Sequence, residues 1–183
     1  FQAAIEAGGM TIMPGHNDVA SIPAHASKWL LTDVVKNELG FNGFYISDMG
    51  DVENLRRIHH TAFCQKEAVK QAFNAGLDMH MYYSGDSTTL MRKWLEELVA
   101  EKEVSISRID DAVRRILRVK FELGLFENRY VDAGSEINAA EAHRQLALEA
   151  ARENIVLLKN ENNILPIDAR QYRRILVTGP NAH

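Results

Sequence analysis

Three short β-prone runs recur along this chain at a constant interval, and that interval limits its fold more than any other feature. Thr11, Ile12 and Met13 form the first, FYIS (44–47) the second and LDMHM (77–81) the third, so successive starts lie 33 residues apart. Helix-like stretches fill the intervals: Ala24 to Glu38, Thr61 to Asn74 and Thr88 to Glu101. Strands alternating with helices of this length imply parallel strands joined by right-handed crossovers, in a doubly wound sheet or in a barrel. A dinucleotide-binding sheet would carry G-x-G-x-x-G between strand and helix, and the chain has no such run.

Further on, Ile109, Val113, Ile116, Leu117 and Phe121 keep helical spacing, with Ser107 and Asp110 as the expected capping box and Gly124 as the stop. From Phe126 to Ala139 the apolar period is lost, which predicts a linker. Ala140 to Arg152 then reads as a helix, NIVLLK (154–159) and ILVTG (175–179) as strands, and NENN (160–163) as a turn. The expected division is a barrel portion over 1–125, a linker over 126–139 and the opening of a second α/β domain over 140–183. The chain opens on Phe1 and stops just after an apolar run, so both ends are expected to be cut.

Of the 183 residues 46% are hydrophobic and 25% charged, enough to build a soluble, well-packed core. The net charge is −4 and bases alternate with acids, as in RIDDAVRRILRVKFE (108–122), so a nucleic-acid partner is not expected. Apolar runs such as NIVLL (154–158) fall far short of the roughly 20 residues of a membrane span. Cys64 is the only cysteine, which excludes an internal disulfide and a cysteine-based zinc cluster.

The second strand delivers Ser47 and Asp48 at its carboxyl end, where barrels and open parallel sheets place their reactive groups. Taken alone, an Asp in that place more often caps the following turn. Its surroundings change the reading. LLTDVVKNELGFNGFYISDMGD (30–51), FNAGLDMHM (73–81), SRIDDAVRRILRVKFELGLFEN (107–128) and HRQLALEAARENIVLLKNENNILP (143–166) together closely resemble glycoside hydrolase family 3, of the β-glucosidase type. The resemblance covers nearly the whole chain, in order and in register.

That resemblance implies an α/β fold: the C-terminal portion of a (β/α)8 TIM-like barrel followed by the start of an α/β sandwich domain. It implies a retaining, exo-acting glycosidase acting on a small oligosaccharide or β-glucoside, with no cofactor and no metal, and with Asp48 as nucleophile. β-Xylosidase is the alternative sugar preference. The family's acid/base Glu belongs to the second domain, downstream of its first strand, and its Lys-His pair and sugar-binding Asp and Arg come from strands preceding Phe1. Three strands do not close an eight-stranded barrel of about 250 residues, so the isolated chain is expected to be inactive. A noncatalytic carbohydrate-binding remnant is the reading of another class. The resemblance also allows a periplasmic or secreted location.

Four positions depart from the family pattern. Met49 stands where Trp usually follows the nucleophile and borders the next sugar, and a thioether lacks the flat indole platform. His16 takes the place of a Tyr that reaches toward nucleophile and sugar, which makes it a candidate hydrogen-bond donor, while Ala20 and Ser21 replace an Asn-Gly pair. Asp78 is expected to be a hydrogen-bonded structural carboxylate. Tyr82, Tyr83 and Ser84 are expected to line the pocket. His59 and His60, beside Arg56 and Arg57, read as loop surface, and Arg114, Arg115, Arg118 and Lys120 as the solvated face of a helix.

Overall fold

The computed structural model describes residues 1–82, 85–130 and 141–180. It divides into two compact units, Phe1–Arg129 and Tyr130–His183. Along the first run α1 (Gln2–Glu6), β1 (Thr11–Ile12), β2 (Asp18–Val19), β3 (Ile22–Pro23), a π-helix (Trp29–Glu38), β4 (Phe44–Tyr45), α2 (Asp51–Arg57), α3 (Gln65–Ala75), α4 (Gly85–Ala100) and α5 (Ile106–Glu122).

The three β-prone runs lie side by side in chain order. β1 pairs in parallel with β4, Thr11 opposite Phe44 and Ile12 opposite Tyr45. On the other edge of β4 a parallel bridge joins Ile46 to Met79, with Ser47 N–H donating to Met79 O at 2.8 Å and Met79 N–H to Tyr45 O at 2.8 Å. Gly43 sets how closely the first two runs approach: a Cβ there would meet the Met10 carbonyl oxygen at 2.1 Å, and Phe44 N–H donates to that same oxygen.

The helices cover this wedge with their apolar faces. α3 presents Ala68, Val69, Ala72 and Phe73, spaced along one helical face, to a core containing Leu31, Val35, Phe41, Tyr45, Val52, Leu55 and Leu77. Gly76 ends α3 at φ 121°, a conformation that favours glycine. The predicted helix from Ala24 is broken in two: a single turn over Ala24–Ala26, then the π-helix, whose end is closed by Leu39 N–H donating to Val34 O at 2.9 Å, five residues back. α2 lies in a segment that the sequence left as loop.

Two expectations about α5 are corrected. Its cap is Ser105, whose Oγ accepts from Arg108 N–H at 3.1 Å, two residues ahead of the predicted box. Its basic residues are not all solvated. Arg115 donates to the carbonyls of Phe41 and Gly43, both at 3.0 Å, and to Asp111, while Arg118 donates to the Asn42 carbonyl at 2.9 Å. These carbonyls enter β4 without strand partners, and the guanidinium groups supply their hydrogen bonds.

Asp78 ties the layers together as the structural carboxylate expected of it. It accepts from Lys36 Nζ and Tyr45 N–H, each at 2.9 Å, and from Arg108. Arg108 also donates to Phe73 O and Leu77 O. Burial pushes the Lys36 pKa down to about 8 against the opposing pull of Asp78.

In the second unit α6 (Glu141–Glu153) forms over the predicted helix, and Asn160 closes the predicted turn by hydrogen bonding both N–H and carbonyl of Leu165. The strands expected over 154–159 and 175–179 are not formed: among the described residues neither segment has a ladder partner, and Leu158 and Leu176 are about nine-tenths exposed. A strand exists only through its neighbours' hydrogen bonds. Most of the expected linker, 131–139, lies outside the described residues, as do Tyr83 and Ser84.

Candidate active site

Asp48 leaves the carboxyl end of β4 at the mouth of the wedge, its side chain 30% exposed. Gly50, at φ 80°, turns the chain directly into α2, so that Asp48 and Asp51 flank one tight turn in which Asp51 N–H donates to Asp48 O at 3.3 Å. One carboxylate oxygen of Asp48, Oδ1, accepts the N–H of Met49 at 2.7 Å. The other, Oδ2, lies 3.0 Å from His16 Nε2.

His16 thus lies against Asp48. It rides on the loop between β1 and the β2–β3 hairpin, and its second nitrogen, Nδ1, lies 2.7 Å from Asp51 Oδ2. The imidazole thus bridges two carboxylates. The hairpin behind it turns through Ala20 at φ 52° and Ser21 at φ 64°, the left-handed pair of a two-residue turn that Asn-Gly fills with less strain. Met49 is 37% exposed beside the nucleophile candidate.

The sequence did not single out Asp51, His25 and Asn54. Asp51 is 3% exposed, opens α2, accepts from Asn54 Nδ2 at 2.9 Å and faces His25 Nδ1 at 3.4 Å. His25, equally buried in the turn before the π-helix, accepts the Asp48 N–H on Nε2 at 3.2 Å. The one signal for Asp51 was its place at the end of the SDMGD run, three residues after Asp48. His59 corrects the loop-surface reading: it is mostly buried, with Nδ1 3.1 Å from Asp18 Oδ1. Close by, His80 pairs with buried Glu53 at 2.9 Å and stacks on Tyr82.

His16, Asp48 and Asp51 bring ligand atoms within 4.8 Å of one another, the geometry of a possible cation site. Each of those atoms already faces another across the imidazole bridge, so a cation would have to displace His16 from one carboxylate. A proton on each His16 nitrogen gives each carboxylate a hydrogen-bond donor without rearrangement.

The model of the glycosyl hydrolase family 3 N-terminal domain matches residues 1–119. The chain belongs to glycoside hydrolase family 3. Residues 1–119 are a portion of that family's TIM-barrel domain, with β1, β4 and the run through Met79 as neighbouring strands. A β-xylosidase of Formosa agariphila is 38% identical over all of this chain, and a periplasmic β-glucosidase of Salmonella typhimurium is 37% identical over the same extent; these matches cover 26% and 24% of the two proteins. A crystal structure of β-glucosidase from Listeria innocua in complex with glucose superimposes on 91% of the chain at 38% identity with a TM-score of 0.73, over 22% of its own length. The family 3 chain described here thus spans about a quarter of the length of the curated relatives it matches. No helix among the described residues is long and apolar enough to cross a membrane.

Proposed function

We propose that the protein carrying this family 3 chain is a retaining exo-glycosidase that removes terminal non-reducing β-D-glucosyl residues, with Asp48 as its nucleophile. The observation that carries the proposal is the Asp48 carboxylate: it stands at the open carboxyl end of a barrel strand, one oxygen held by a backbone N–H and the other against an imidazole. In such an enzyme the carboxylate attacks the anomeric carbon through an oxocarbenium-like transition state and forms a glycosyl ester. A second carboxyl about 5 to 5.5 Å away protonates the leaving oxygen and later deprotonates water. We assign that second carboxyl to the sandwich domain that residues 140–183 begin.

His16 supplies positive character beside the nucleophile and polar contact toward the sugar, and Met49 borders the next subsite with a thioether. The reaction needs no cofactor. Relatives called periplasmic and lysosomal support an exported enzyme.

β-Xylosidase activity is the second reading, because a protein of that name matches the chain end to end. The two differ by a hydroxymethyl group on the sugar, which apolar contact alone discriminates by about 10- to 200-fold and a hydrogen bond to its hydroxyl by about 10⁴-fold or more. The test is kcat/KM of the full-length protein on nitrophenyl β-glucoside and nitrophenyl β-xyloside. The glucoside is expected to be preferred by tenfold or more; the reverse preference would make it a xylosidase, and no turnover of either would contradict the assignment.

A further inference from the structure

Asp51 takes no part in the displacement just described, yet it is buried with His16, His25 and Asn54 all converging on it. Proton positions follow from the contacts. His25 accepts the Asp48 N–H on Nε2, so its single proton sits on Nδ1, facing Asp51. Burial, the largest influence on His25, pushes its pKa down, in keeping with a neutral ring.

His16 is different. Nδ1 is 2.7 Å from one carboxylate oxygen and Nε2 is 3.0 Å from another. A bare lone pair at either place would face a negative oxygen, so both nitrogens carry protons and the ring is an imidazolium. The hydrogen bond to Asp51 is the largest influence raising the His16 pKa, followed by the charges of Asp51 and Asp48.

We propose that Asp51 is a positioning residue of the glycosidase reaction: it fixes the His16 imidazolium against Asp48 and remains as that cation's counter-charge while Asp48 is esterified. The inference rests on Asp48 being the nucleophile. In the first step an Asp48 oxygen bonds to the anomeric carbon. The glycosidic C–O bond breaks with its electron pair on the leaving oxygen, which takes a proton from the second carboxyl group. Asp48 is now a neutral ester, and Asp51 is the one anion left beside His16.

In the second step water attacks the anomeric carbon and gives a proton to the second carboxylate, while the ester C–O electrons return to Asp48. The returning carboxylate meets a cation because Asp51 has kept His16 protonated. The titratable groups around the pair are Asp18 on the β2–β3 hairpin, His25 in the turn before the π-helix, Asp48 after β4 and His59 after α2. Asp51 is the acid in hydrogen-bond contact with His16 that is not consumed in the reaction.

The test uses the full-length protein and a dinitrophenyl β-glucoside, whose leaving group needs no proton, so the alkaline limb does not report the acid/base carboxyl. Asp51→Asn keeps the shape and removes the charge. It is expected to lower kcat/KM by about 10²-fold and to move the alkaline limbs of kcat and kcat/KM to lower pH, toward the ordinary histidine value of 6.5. His16→Gln, which cannot titrate, is expected to lose that limb. If Asp51 were only structural, Asp51→Asn would lower the yield of folded protein while leaving the pH profile of the folded fraction in place, which would overturn the proposal. Asp48→Ala separates the two levels. Turnover that survives it refutes the nucleophile assignment itself, whereas an inactive Asp48→Ala beside an unmoved Asp51→Asn profile refutes the positioning role alone.

Discussion

A carboxylate that attacks carbon has to be open to substrate on one side and held on the other. Asp48 meets both needs through fixed neighbours: the Met49 N–H and the His16 ring occupy separate oxygens, and His25 holds the backbone N–H of Asp48 itself. The pairing of Asp48, Asp51 and His16 also looks, by ligand type, like a cation site. Protons on His16 take that place, so dialysis of the full-length protein against a chelator is expected to leave kcat/KM unchanged. Activity lost on chelation and restored by a divalent ion would contradict it. Asp48 stood out in the sequence because strand-end position and motif agreed on it, and His16 because it replaces the Tyr of a familiar pattern. Asp51 was not legible, since its importance comes from the Gly50 turn and from two histidines distant in sequence.

At the scale of elements, the site stands on a wedge whose strands are only two residues long, so its rigidity comes from side chains that bridge layers. Asp78 joins the π-helix through Lys36, β4 through the Tyr45 N–H and α5 through Arg108. Asp78→Asn removes the charge that compensates two buried or half-buried cations, and it is expected to cost roughly 3–5 kcal/mol of stability. The check is the urea midpoint of the full-length protein; a change under 1 kcal/mol would mean that Asp111 and solvent, and not Asp78, balance Lys36 and Arg108. The 33-residue period predicted parallel strands because each repeat is one strand plus one helix. The period did not reveal the clamps of Arg115 and Arg118, because a basic helix face reads the same whether it meets water or bare carbonyls. The strands expected at 154–159 and 175–179 show the converse: apolar sequence supplies the tendency, and a hydrogen-bonding neighbour makes the strand.

At the scale of the molecule, the three parallel segments among the described residues lie side by side without closing into a barrel. Ile155, Val156, Leu158, Leu176 and Val177 are all more than two-thirds exposed in the second unit, surface that a completed sheet would bury. The isolated 183-residue chain is therefore expected to show no hydrolysis of nitrophenyl glycosides, while the full-length protein hydrolyses them. Turnover by the isolated chain that disappears in Asp48→Ala would show that one carboxylate and its local partners suffice. The most direct measurement of the central claim is covalent trapping of the full-length protein with a 2-fluoro β-glucoside, followed by peptide mass spectrometry. The account predicts one fluoroglucosyl label, on Asp48; a label on a peptide that lacks Asp48 would contradict it.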